Sequence, residues 1–160
     1  MQWAGRMRTM SRPMRETRDA MIKEIVKDRE FLSQPAEPAT PEDAQVAQDL
    51  KDTMESMGGD CACLAANQIG SRKAVIAYED EQGRVNVMFN PRLVAFMKPY
   101  DAAEGCLSLE EASQVKRFEI CTVAYEVLAG DKLIPRSKKL TGWTAEIVQH
   151  GIDHCAGKLV

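Results

Sequence analysis

The chain has 160 residues and a mass of 17.8 kDa, enough for one domain and too short for a second sizeable core. Apolar residues at 44 % and charged residues at 28 % exclude wholesale disorder, and no window approaches the roughly 18 uncharged apolar residues of a membrane span. A formal charge of −3 and a pI near 5.5 lack the basic footprint of a nucleic-acid binder.

Met1–Ala20 differs in composition from the rest of the chain. Five arginines (6, 8, 12, 15, 18) against Glu16 and Asp19 give it a charge of +3, leaving −6 for the remainder. It lacks the apolar stretch of a secretory signal, and its Arg-rich, acid-poor character is shared with organelle transit peptides. It reads either as such a segment or as a leader upstream of the true start. Residues 1–20 are therefore expected to be a disordered extension and 21–160 a single domain.

In chain order, an extended start near Ile22–Val26 precedes Leu32–Pro41, whose three prolines predict a surface turn region. Thr40-Pro41-Glu42-Asp43 has the form of an N-cap with proline at the first helical position. Val46, Leu50, Met54 and Met57 share one helical face, and Gly58-Gly59 should end the helix. Lys73–Tyr78, Val85–Asn90 and Arg92–Met97 read as short strands, with a turn at Gln82-Gly83 and a break at Asn90-Pro91. Phe118–Glu126 alternates again, and Ala129-Gly130-Asp131 before Lys132–Ile134 predicts a hairpin. A second helix is expected over Gly142–Cys155, with Thr141 as its cap and Gly157 beyond its end. Helix, several antiparallel strands, then helix is an α+β order.

His150 and His154, the only histidines, lie four apart on that helix and project from one face, so both imidazoles can reach one metal ion. Gln149-His150-Gly151-Ile152-Asp153-His154 differs at one position from the zinc-binding H-E-x-x-H. A catalytic metal centre uses three protein ligands and keeps one position open. Cys106, in Glu104-Gly105-Cys106-Leu107-Ser108, would complete such a set from a turn-like segment after a strand. Taken alone, the histidines also fit a satisfied structural pair, and Cys106 a buried apolar residue. The odd count of five cysteines (61, 63, 106, 121, 155) argues for free thiols or metal ligands over a disulfide framework.

From Met21 to Val160 these segments resemble the peptide deformylases, metal-dependent enzymes that remove the N-formyl group from new polypeptides. Glu-Gly-Cys-Leu-Ser at 104–108 matches a family motif fully. The His-Glu-x-x-His helix motif matches at His150, Asp153 and His154. Gly-x-Gly-x-Ala-Ala-x-Gln falls on Cys61–Gln68, where the Ala-Ala-x-Gln half matches. The resemblance implies a deformylase-like α+β fold, with antiparallel sheets packed around a central metal-binding helix. It also implies one divalent ion held by Cys106, His150 and His154: Fe2+ by family habit, with Zn2+ or Ni2+ able to replace it. Gln68 and the backbone N–H of Leu107 would stabilise the oxyanion. Glu104 and Arg117 would form an ion pair bracing the Cys106 turn, and Asp153 would fix a histidine tautomer. Cys61, Cys63, Gly105, Trp143 and Ile147 would line the substrate groove, Trp143 and Ile147 serving equally well as helix-to-core packing. The implied partners are formylated nascent peptides, with the ribosome exit region as a further contact, and no nucleic acid or membrane. The implied location is cytoplasmic, with organelle import through the extension as the alternative.

Three positions depart from the family pattern. Gly151 stands where the family has the glutamate that carries the proton from water to the leaving amine. Cys61 and Cys63 replace motif glycines and would narrow the groove, or one sulfur would fill the open metal position. The expected outcome is impaired turnover with metal and ligand binding retained. The alternatives are a weakly active protein that binds peptide N-termini, or a metal-stabilised structural domain.

Overall fold

The computed structural model describes residues 21–160, so the Arg-rich segment 1–20 lies outside the described residues. Helix α1 (Arg29–Leu32) is one turn capped by the Asp28 carboxylate, and it ends at Leu32, the first residue of the stretch read as turns. A 3₁₀ turn at Pro41–Asp43 then leads into α2 (Ala44–Ser56). The Thr40 hydroxyl accepts from the Glu42 N–H, and the Asp43 carboxylate accepts from the Thr40 N–H at 2.8 Å, a reciprocal cap. Helix α2 buries Ala47, Leu50 and Met54, and Val46 and Met57 pack at the edge of the same cluster.

Five strands come next, β1 (Cys63–Ala65), β2 (Val75–Glu79), β3 (Val85–Cys106), β4 (Leu109–Ala129) and β5 (Lys132–Thr141), joined in sequence order as one antiparallel sheet. The expected break at Asn90-Pro91 is a bulge, and the two predicted strands are one. Pro91 has no N–H to give to a ladder, so it sits at the register shift between Phe89 and Arg92. Asn90 takes a positive φ of 49° there, and its side chain bridges Ala39 and Glu126. Strands β4 and β5 likewise run beyond Phe118–Glu126 and Lys132–Ile134, because cross-strand pairing carries residues without clean alternation. Gly130 at φ 63° closes the β4–β5 hairpin where it was expected.

Strand β2 is buried on both faces, and its alternation divides the core. Val75 and Ala77 face α2 with Leu50, Met54, Leu64 and Phe89. Ile76 and Tyr78 face α3 (Gly142–Cys155) with Met88, Cys121, Val123 and Val148. Thr141 occupies the N-cap position of α3 in extended geometry, but its side chain makes no cap bond. The helix is held from its buried side instead. Gln149 Nε2 donates to the Phe118 carbonyl at 2.8 Å, and Gln149 Oε1 accepts from the Phe118 N–H at 3.0 Å. That clamp sets the rotation of α3 against β4, and with it the direction of the next residue, His150.

Candidate metal centre

Cys106 is the last residue of β3, and Leu107-Ser108 form the tight connection to Leu109, its cross-strand partner. The strand end thus delivers the sulfur to the histidine face of α3. Cys106 Sγ lies 3.4 Å from His154 Nε2, and the Nε2 atoms of His150 and His154 are 3.0 Å apart. One donor atom from each of the three residues lies within 4.8 Å of the others. Among the described residues this is the one such cluster of histidine, cysteine and acidic side chains, and neither Cys61 nor Cys63 belongs to it.

The surrounding charges orient the imidazoles. Glu104 Oε1 is 2.8 Å from His150 Nδ1, so the carboxylate, which can only accept, holds the proton on that nitrogen and leaves the Nε2 lone pair toward the cluster. Arg117 grips Glu104 through two bonds, Nε to Oε2 at 2.9 Å and Nη2 to Oε1 at 2.7 Å, with both side chains under 10 % exposed. A third guanidinium bond, Nη1 to Asp153 Oδ2 at 2.6 Å, ties the strand to α3. The expected Glu104–Arg117 pair is therefore present and buried. The histidine partner differs from expectation: Glu104 orients His150, while Asp153 holds Arg117 and Lys158. Asp153 leaves the helix on the side where the guanidinium stands, which the one-dimensional spacing did not reveal.

Burial disfavours charge at each of these groups, and specific partners outweigh it. Burial pushes the Cys106 thiol up, yet hydrogen bonds from His150 and His154 bring it down to about 6. Burial lowers His150, but Cys106 and Glu104 raise it to about 9. Burial raises Glu104, and its bonds to His150 and Arg117 hold it at about 2. By contrast, burial pushes Cys61 up to about 11 and Cys63 well above its ordinary value. Those two thiols stay protonated where Cys106 ionises.

This donor set fits a divalent ion. An easily ionised thiol and two imidazole Nε2 atoms converge, and one imidazole is locked in the ligating tautomer. The donor separations of 3.0 and 3.4 Å are close to those of tetrahedral ligands lying about 2.0–2.3 Å from a common ion.

Cys106 and His150 form one wall of a pocket with Gln68, Leu107 and Gly105. Cys61, Cys63, Trp143 and Ile147 line it as well, so every residue expected in the groove is there, and the Glu104 and Glu146 carboxylates also face it. Trp143, 64 % exposed, stands at the rim, which removes its core-packing reading, whereas Ile147 at 5 % serves both core and pocket. Gln68 Oε1 accepts from the Ala65 N–H at 3.0 Å, which turns Nε2 toward Ser108 Oγ at 3.2 Å and Cys106 Sγ at 3.4 Å. Gly151 is buried on α3. Ser108, Tyr100 and Glu146 were not singled out from the sequence. Glu146 precedes His150 by one helical turn, a signal that was available; the Tyr100 hydroxyl lies 3.1 Å from its carboxylate. Burial and the neighbouring Glu104 carboxylate push Glu146 up.

Fold and donor set together define an α+β domain in which a cluster able to hold a metal ion lies beside a pocket. Residues 22–160 match the polypeptide deformylase family. A peptide deformylase of Clostridium beijerinckii is 39 % identical over 142 residues, covering 88 % of this chain and all of the relative. A solved peptide deformylase of Legionella pneumophila superposes with a TM-score of 0.73 at 32 % identity, covering 86 % of this chain and 83 % of that one. A class I type b peptide deformylase of Acinetobacter baumannii with Met-Ala-Ser bound has the same TM-score of 0.73 at 28 % identity, covering 86 % and 96 %. The chain belongs to the polypeptide deformylase family.

Proposed function

We propose that this protein is a metal-dependent hydrolase that removes the N-formyl group from the N-terminal methionine of new polypeptides, with turnover slowed by the glycine at position 151. The observation that carries the reading is the convergence of Cys106 Sγ with the Nε2 atoms of His150 and His154, with His150 fixed by the buried Glu104–Arg117 pair. These three residues would hold Fe2+, Zn2+ or Ni2+. When bound, such an ion supplies Lewis acidity and lowers the pKa of water to about 7.

The other roles belong to side chains. Gln68 has its amide oxygen occupied by the Ala65 N–H, so its Nε2–H is held ready for the formyl oxygen as charge develops there, with the Leu107 N–H as second donor. Ile147, Trp143 and Cys61 wall the space for an apolar first side chain. Gly105 keeps the strand edge open to the peptide backbone. Arg117 and Asp153 hold the positions of Glu104 and α3 and touch no substrate. Position 151 offers no group to take a proton from water and return it to the leaving amine. Loss of such assistance typically costs about 10²–10⁴ in rate.

The A. baumannii relative holds Met-Ala-Ser, which supports formylated nascent peptides as the partner here. Action beside the ribosome exit and in the cytoplasm belongs to the same reading. Formate release from formyl-Met-Ala-Ser, with Met-Ala-Ser binding measured alongside on metal-loaded protein, tests it. The expected result is slow, chelator-sensitive release with binding intact. Binding without any release would favour the second reading, a protein that retains peptide N-termini, which the bare position 151 supports. An absence of both would leave a structural metal domain, a reading that the open pocket beside Cys106 and His150 weighs against.

A further inference from the structure

Two of the departures from the family pattern touch each other. Gly151 lies inside α3 without the positive φ that only glycine tolerates, so the backbone does not demand glycine there. The surroundings do. A Cβ built on Gly151 would lie 2.7 Å from Cys63 Sγ, closer than real Cβ contacts come, and 3.2 and 3.3 Å from Cδ1 and Cγ2 of Ile76. Ile76 is fully buried in β2 between Ala65 and Met88, and its branched Cβ leaves the Cγ2 methyl little freedom to swing away. Cys63 is held in β1 opposite Tyr78 and lines the pocket, so its sulfur can make room only by turning about its one side-chain torsion into the pocket itself.

We infer that Cys63 decides what position 151 can be: its thiol fills the space in which a side chain at 151 would begin, and so keeps a carboxylate from standing beside Cys106, His150 and His154. The resemblance pairs glycine at 63 with glutamate at 151, and this chain pairs cysteine with glycine. Volume has crossed the contact between β1 and α3, from the helix to the strand. Cys63 is thus a positioning residue that acts through position 151. Its consequence for activity rests on the hydrolase reading; the packing claim does not.

A comparison of thermal midpoints tests the packing. Gly151→Ala in a mid-helix position normally stabilises, by about 2–4 °C in a chain of this size. Here it should lower the midpoint by at least about 3 °C, because an over-filled contact outweighs helix propensity. In a Cys63→Ala background, which removes the 2.7 Å contact and leaves those to Ile76, the same change should no longer lower the midpoint, a difference of at least about 3 °C between the two backgrounds. Metal content per chain should be equal in all four proteins. Shifts of the same sign and size in both backgrounds would overturn the inference. A Gly151→Ala protein that fails to fold supports it if the double variant folds, and overturns it if the double variant fails too.

Activity is then read with Gly151→Glu, alone and with Cys63→Gly. The double variant should release formate at least about 10²-fold faster than the unaltered chain, and Gly151→Glu alone should not. Equal rates for the two, both raised above the unaltered chain, would sink the inference while leaving the hydrolase reading intact. A melting loss relieved by Cys63→Ala, with no formate release from either, would keep the inference and remove the hydrolase reading.

Discussion

The two sides of the pocket are built by different physics. On the β3–β4 side, Glu104, Arg117, Asp153 and His150 form a satisfied charge network in which each group has a stated partner. On the β1 side, Cys63, Ile76 and Gly151 meet chiefly through volume, the one polar contact being that of the Cys63 sulfur with the Gly151 backbone. Set against the motifs the chain resembles, the departures fall on the packed side, at Cys63 and Gly151, and not on the charged side. An ionic network resists piecemeal change because removing one member strands a buried charge. A packing contact tolerates exchange when the summed volume is kept. A site can therefore keep its metal-holding half while its proton-carrying half drifts.

Breaking the charged side at its centre should give the largest effect. Cys106→Ala removes the thiolate ligand, so metal content should fall from about one ion per chain to a small fraction. The melting midpoint should then no longer respond to chelator. Elemental analysis and melting with and without chelator check both; retained stoichiometry would move the centre elsewhere.

Next in size is Arg117→Met, which leaves Glu104 and Asp153 facing each other without the guanidinium. Loss of a buried partner typically costs about 3–5 kcal/mol, read by denaturant titration. A cost below about 1 kcal/mol would show that the network behaves like a surface pair.

Gln68→Ala tests the pocket floor between the two sides. Measured in whichever variant releases formate fastest, it should reduce kcat by about 10²–10³, the usual effect of losing one oxyanion donor. A change confined to KM would assign Gln68 to binding alone.

The charged side should also carry an acid signature. Glu104 is held at about 2 in the fold against an ordinary 4.5, so its contribution to stability is complete above pH 4.5 and drains as the pH falls toward 2. In chelator, the midpoint of the unaltered chain should fall more steeply across that window than that of Glu104→Gln. Parallel curves would show that the carboxylate is not stabilised by its partners.

The smallest effect belongs to the link between strand and helix at the pocket edge. Tyr100→Phe removes the hydroxyl beside Glu146 and should cost about 1 kcal/mol, seen in the same titrations. A larger loss would show that the Tyr100 hydroxyl supports Glu104 through Glu146 as well.

Much of this was legible in one dimension because it is local. The i, i+4 spacing of His150 and His154 places both rings on one face of any α-helix, and they lie together on α3. The Thr40-Pro41 cap and the Gly130 hairpin arise from side-chain chemistry and φ preference within a few residues, and both are present. The Glu-Gly-Cys-Leu-Ser match led to Cys106, since a strand end and its tight turn form one local unit.

What the sequence alone did not decide depends on residues far apart in the chain. Pro91 predicts a break, but pairing with β4 carries the strand through it, because a bulge costs less than abandoning the ladder. Asp153 sits next to His154 in sequence, yet the position of Arg117 on β4 hands His150 to Glu104. Gly151 and Cys63 read as two separate departures until β1 and α3 pack and bring the thiol onto the helix. Local rules act through the backbone a few residues at a time, whereas which side chain fills which space is settled only when the sheet and α3 close around a common interior.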